Sequence, residues 1–236
     1  METGPLIPAS HASHLLSSFA TFLTLTLHTL LYHRALYPKT TFLTARALNL
    51  PVHQSRHPGL CTWINDAVAS VAAQLRKGTV RRIAIAMHAA KTFDVLERWV
   101  FDVDLFPAGW GDREEATYNP ALVEGDDDDD GVVNWTDVNE ALRGALTRIA
   151  QKAEMMPDLP QGSTFTVAVE LRDDANAPIG HPQHWIPSQP NLQPPNDTSL
   201  KQGSSLGGQS TTAIRSVQAG PLFFNCWIEQ SELITS

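Results

Sequence analysis

An α+β fold, helices packed on a mostly antiparallel sheet, follows from three observations on this 236-residue chain. The first is a pair of alternating apolar segments, Thr79–His88 and Val95–Val103, joined by the short polar stretch AAKTFD. Ile83, Ile85 and Met87 share one face of the first arm. Val95, Trp99, Phe101 and Val103 share a face of the second, with Glu97 in the same register, which is the two-residue period of a hairpin. The second observation is apolar residues at helical spacing in segments before and after this hairpin. The third is their order, which lacks the strand–helix–strand alternation that builds parallel sheets. An isolated hairpin has nothing to cover its apolar face. The rest of the chain is therefore read as what covers this sheet and what extends it.

Residues 1–12 read as a flexible N-terminal arm. From Ser10 or Ser13, either a suitable N-cap, a helix runs to about Leu36, with Phe19, Phe22, Leu23, Leu27, Leu30 and Leu31 on its apolar face. Tyr37-Pro38 ends it, because the residue before a proline is pushed out of the helical region. The window Leu15–Tyr32 carries no formal charge and is long enough to resemble a membrane span. Its serines and threonines, its His28 and the lack of any Lys or Arg before Arg34 favour a buried core helix instead. Thr40–Val52 is β-leaning, with Pro51 restricting it to an edge or a strand end.

A second helix begins at Pro58, a favourable first position, and carries Leu60, Trp63, Ile64, Ala67, Val68, Val71 and Leu75 as one stripe before Gly78 closes it. After the hairpin, residues 107–133 form an acidic loop. A third helix, Asp137–Met156, is capped by Asn134 or Thr136, and Ser163–Arg172 is a strand. A proline-rich segment follows, with a flexible insertion at 190–210 and two β-leaning pieces, Thr211–Val217 and Pro221–Gln230. These last residues must complete the sheet or dangle, and Trp185, Phe223, Phe224 and Trp227 argue that they dock. The organisation is one domain over 13–236, divided into a core at 13–172 and a C-terminal region at 173–236.

Net charge is −8, and five of the negative charges sit in Asp126–Asp130; without that run the chain would carry −3. No basic stripe exists to track a phosphate backbone, so any role on DNA is indirect. The two cysteines, Cys61 and Cys226, make neither a disulfide framework nor a zinc knuckle. Phosphate loops, nucleophile elbows and zinc-protease signatures are all missing from the sequence. His181 and His184 lack a carboxylate or thiol companion, and His28, mid-helix among leucines, reads as a hydrogen-bonded core residue. Glu97 and Asp102 are five apart on a strand and face opposite ways. Asp126–Asp130 could hold a divalent cation for hydrolysis, but consecutive like charges mark a self-repelling loop. The reading is a non-enzyme without cofactors or metals.

Several blocks resemble the HORMA-domain family: LHTLLYHRALYPKTTF (Leu27–Phe42), LNLPVHQSRHPGLCTWIND (Leu48–Asp66), VLERWVFDV, STFTVAVELR (Ser163–Arg172) and ALRGALTRI (Ala141–Ile149). VLERWVFDV is equally similar to the spindle-assembly-checkpoint member, which binds an anaphase-activator peptide. LPVHQSRHPGL is instead similar to the branch that serves as accessory subunits of DNA polymerase zeta. The resemblance implies a nuclear, non-catalytic adaptor in translesion synthesis. Such an adaptor clamps a proline-containing peptide of the catalytic subunit under a mobile C-terminal safety belt and bridges to a Y-family deoxycytidyl transferase. It also implies roles for single residues. Tyr37, Trp63 and Trp185 fall where the family contacts the peptide, and for Trp63 core packing is the competing role. Asn225 and Trp227 fall on the second-partner surface, and Arg143 at a HORMA–HORMA homodimer surface.

Overall fold

Three helices lie on one face of a five-stranded antiparallel sheet, and a separate two-stranded hairpin docks beside them. The computed structural model describes residues 9–106, 133–173, 175–176, 178, 185–188 and 209–231. In chain order the elements are α1 (Ala9–His33), β1 (Phe42–Ala47), β2 (Leu50–Ser55), α2 (Pro58–Arg76), β3 (Val80–His88), β4 (Val95–Asp102), α3 (Trp135–Met155), β5 (Thr164–Leu171), β6 (Gln209–Ala219) and β7 (Leu222–Ser231). The expected acidic run Asp126–Asp130, residues 190–208 of the expected insertion, and His181 with His184 lie outside the described residues, while Gln209 and Ser210, assigned to that insertion, already belong to β6.

The large sheet has the order β5-β3-β4-β7-β6. β4 is central and buried on both faces from Val95 to Phe101. Glu97, Trp99 and Phe101 face the helices, as their alternation predicts, while Leu96 and Val100 fill the other side. The C-terminal pieces complete the sheet: β7 pairs with β4, and β6 with β7. Gly220-Pro221 joins them, Gly220 taking the positive φ of +55° that a two-residue turn of type II′ needs at its first central residue. Phe224 is fully buried and touches Phe19, Phe22, Phe101 and Phe106, with ring centroids 5.1–6.3 Å apart across this cluster. The hairpin β6–β7 is thus part of the core and not an appendage to a core ending at 172.

Helix α1 is long and apolar enough to cross a membrane, yet it is the central helix of the layer. Leu15, Phe19, Phe22, Leu27, Leu30 and Leu31 are each buried, as a core helix requires. Two expectations need correction here. Residues 9–12, assigned to the flexible arm, belong to α1, and His11 and Ala12 are buried. At the other end the helix stops at His33, before Tyr37-Pro38 can act. Ala35 takes a left-handed φ of +52°, Ala35 N–H bonds to Tyr32 O and Leu36 N–H to Leu31 O, the two bonds of a Schellman motif.

That turn aims Arg34 inward. Arg34 and Glu97 are both fully buried; Arg34 Nε donates to Glu97 Oε1 and Oε2 at 2.9 and 3.2 Å. The other guanidinium nitrogens donate to the carbonyls of Ala153, Met156 and Pro157 at the end of α3. Trp99 Nε1 completes the shell of Glu97 at 3.1 Å.

The β-leaning stretch Thr40–Val52 is not one strand but most of a hairpin, β1 and β2, turning through Leu48 and Asn49. Both residues have positive φ, +49° and +56°, the demand of a type I′ turn. Leucine gives no warning of it. The hairpin docks through His53 stacked on Tyr32 at 3.5 Å and through Ser55 N–H donating to His28 Nδ1 at 3.3 Å.

Two predictions follow from this packing. Arg34→Met leaves Glu97 buried and unpaired, with an expected cost of about 3–5 kcal/mol. Pairing it with Glu97→Met should cost clearly less than the two single changes added, measured by urea unfolding as a double-mutant cycle. For pH, burial pushes His28 down to about 4, and burial is also the first cause of the lowered pKa values of His33, His53 and His88. In the unfolded chain these rings protonate near pH 6.5. Below that pH the unfolded state holds more protons, so stability falls from pH 6.5 down towards 4 and is insensitive to these groups above 6.5. The His28 share between pH 7 and 5 is about 2 kcal/mol. The urea midpoint should drop over that interval, and less so in His28→Gln.

Candidate partner-binding site

A sheet with open ends presents two rows of backbone donors and acceptors, and their protection differs. β6 is interrupted by a bulge between Ala213 and Arg215, a device that blunts an edge. Among the described residues, β5 has no such defence over most of its length. Its ladder with β3 is regular from Thr164 to Glu170, and Thr164, Thr166 and Ala168 are exposed, small and uncharged. Such an edge is a template for another strand.

The other face of β5 carries Phe165, Val167 and Val169, half-buried against the helix layer. α2 supplies Trp63 there, edge-on to Phe165 with centroids 5.1 Å apart. His57, the N-cap of α2, accepts from Leu60 N–H at 3.2 Å and Pro58 follows it, so the helix starts just before the position that brings Trp63 to this edge. Trp63 is half-buried, so it packs on the core and still presents surface beside the free strand. At the near end of β5, His88 Nε2 lies 2.8 Å from Thr166 Oγ1, and its Nδ1 lies 3.1 Å from Phe93 O. A carbonyl only accepts, so Nδ1 carries the proton and, in the neutral ring, Nε2 accepts from the threonine.

The other residues expected to contact a peptide are placed as follows. Tyr37 is 37 % exposed on the link between α1 and β1. Trp185 is half-buried against the core, and its Nε1 is buried with no hydrogen-bond partner among the described residues. No ring contact among the described residues joins Tyr37, Trp63 and Trp185 to each other. β5 and β6 are the two opposite edges of the sheet, and Trp185 lies between them in the sequence.

Asn225 and Trp227 do share a face, pointing away from the helices on β7. Asn225 Oδ1 accepts from Ser216 Oγ at 2.6 Å, and Trp227 Nε1 donates to Glu229 Oε1 at 2.9 Å. The Arg82 guanidinium sits 5.7 Å from the Trp227 ring and pairs with both Asp102 and Glu170, whose charges hold its pKa above the usual value against burial. Asp102 and Glu97 do face opposite ways, each to its own arginine. Arg143 lies on α3, paired with Glu140, and lines a groove between α3 and β6. The sequence reading passed over Arg34, Arg82 and Arg215. Only a glycine in mid-helix, Gly144, hinted that α3 has a close neighbour.

The HORMA domain family model matches residues 16–219. A Schizosaccharomyces pombe protein, "DNA polymerase zeta processivity subunit", is 28% identical over 216 residues, 90% of this chain and 91% of that one. An Arabidopsis thaliana protein of the same name is 24% identical over 212 residues, 90% of this chain and 84% of that one. Among solved structures, a chain of "Crystal Structure of Mitotic Checkpoint Complex" superposes with a TM-score of 0.64 at 19% identity, over 93% of this chain and 98% of that chain.

Proposed function

We propose, since this chain belongs to the HORMA-domain family, that it is an adaptor subunit of DNA polymerase zeta in translesion synthesis. It works in the nucleus by binding, without catalysing a reaction. The observation that carries the reading is the unprotected edge of β5 beside the Trp63–Phe165 pair. A proline-containing peptide of the polymerase's catalytic subunit adds to that edge. Main-chain hydrogen bonds supply affinity there, and the aromatic pair selects side chains. The C-terminal region, 173–236, acts as the safety belt over the peptide, which slows its release. Trp185, whose indole N–H lacks a partner among the described residues, supplies a donor on that segment. The names of the fungal and plant relatives, over nine tenths of this chain, support the polymerase over the checkpoint. The Asn225–Trp227 face, remote from β5 across the sheet, takes the second partner, a Y-family deoxycytidyl transferase.

Calorimetric titration with the catalytic-subunit peptide tests this reading. Wild-type protein should bind it and not bind an anaphase-activator peptide. Trp63→Ala should weaken binding about tenfold or more, as loss of a buried aromatic anchor does, with an unchanged far-ultraviolet spectrum. A peptide N-methylated at alternate backbone positions should fail to bind. Equal binding by the methylated peptide would rule out strand addition.

A further inference from the structure

We propose that the edge of β5 selects, at the position beside Thr166, a partner residue able to donate a hydrogen bond, because His88 holds the proton of the Thr166 hydroxyl away from that edge. The proposal rests on the strand-addition reading above and narrows it to a class of side chain.

Backbone geometry fixes the tautomer of His88. Phe93 takes a left-handed φ of +59°, which is rare for a bulky residue. The turn that holds it is closed by Ala89 N–H donating to Asp94 O at 2.9 Å and by Phe93 N–H donating to Ala89 O at 3.1 Å. Its Phe93 carbonyl lies 3.1 Å from His88 Nδ1, which therefore carries the ring proton. The residue is only 7 % exposed. Burial lowers the pKa of His88 below the usual histidine value, against the effect of the Phe93 carbonyl, so the ring is neutral near pH 7. A neutral ring with its proton on Nδ1 has only a lone pair on Nε2.

The consequence falls on Thr166. A hydroxyl has one proton and two lone pairs. That proton goes to His88 Nε2 at 2.8 Å. Thr166 is exposed on the unpaired edge, and what its oxygen offers there is acceptor capacity alone. Its neighbours on the same face are not polarised in this way. Thr164 has no partner for its hydroxyl among the described residues and can turn it to donate or accept, while Ala168 has no polar group. Glu170, further along, is paired with Arg82.

An added strand brings its own side chains alongside. Residues opposite one another on adjacent strands have Cβ atoms about 4.5–5.5 Å apart, so the one facing Thr166 comes within reach of Oγ1. A side chain with an N–H or O–H gains a hydrogen bond there. One that only accepts, such as a carboxylate, meets lone pairs and gives up water without replacement.

The test is calorimetric titration of the full chain with the catalytic-subunit peptide, made with either asparagine or its isosteric methyl ketone at each position in turn. A methyl group replaces the amide nitrogen in the ketone, so the donor is lost and no charge changes. One position should prefer asparagine by about three- to tenfold, the contribution of one hydrogen bond. Positions two residues to either side, on the same face, should show no preference. Thr166→Val should abolish the preference and Thr166→Ser should keep it. His88→Leu releases the hydroxyl proton, so the ratio of the two affinities should fall towards one while both peptides still bind. A purely structural role for His88 would weaken both peptides together and leave their ratio unchanged. The proposal falls, with strand addition intact, if the peptides bind but no position shows a preference that Thr166→Val removes, or if His88→Leu leaves the ratio as in wild type. Failure of the unmodified peptide to bind would overturn the strand-addition reading, and this proposal with it.

Discussion

The buried Arg34–Glu97 pair is the constraint around which the helix layer is arranged. One guanidinium joins the end of α1, the centre of β4 and the last carbonyls of α3. Burying two charges is expensive, and the attraction between them offsets that only when every remaining donor and acceptor is satisfied. Here the α3 carbonyls and the Trp99 indole satisfy them. The geometry leaves little freedom: α1 has to stop at His33 and turn through Ala35 in a left-handed conformation for Arg34 to point inward. A glycine would make that turn more easily. The alanine is tolerated because two Schellman bonds and the ion pair hold it.

With α1 pinned over β4, the other helices flank it. α2 reaches the β5 side through Trp63 and Phe165, and α3 lies over β6, where Gly144 meets Arg215. The two ends of the sheet therefore acquire different surfaces. At β5 a regular strand, uncharged from Thr164 to Val169, lies beside two aromatics. At β6 a bulge spoils the ladder and brings a cation into the groove below α3. One end is a regular ladder of small residues, while the other sets a guanidinium against the backbone of α3.

The C-terminal hairpin links these ends. Phe224 is fully buried among four other phenylalanines, and β7 supplies half of the pairing of the central strand. Its docking stabilises the core.

Much of this was readable from residues alone. Alternation in Thr79–His88 and Val95–Val103 identified the central hairpin, the apolar stripes identified α2 and α3, and the serines, threonines and His28 of α1 outweighed its resemblance to a membrane span. These signals are local and repeat with the period of the element. What stayed hidden depends on left-handed residues, on register and on distant partners. Leu48 and Asn49 turn a hairpin without the usual glycine. Ala35, and not Pro38, ends α1. The bulge at Ala213–Arg215 reverses which side of β6 an arginine occupies. Glu97 stood out among apolar neighbours in the sequence, but its partner lies 63 positions away and could not be named. The sequence by itself determined which segments are helix and strand, because burying one face imposes a period on the chain. Only the tertiary structure decided the strand order, the unprotected edge at β5 and the arginine on Gly144, because pairing, register and close approach are relations between segments and no single segment encodes them.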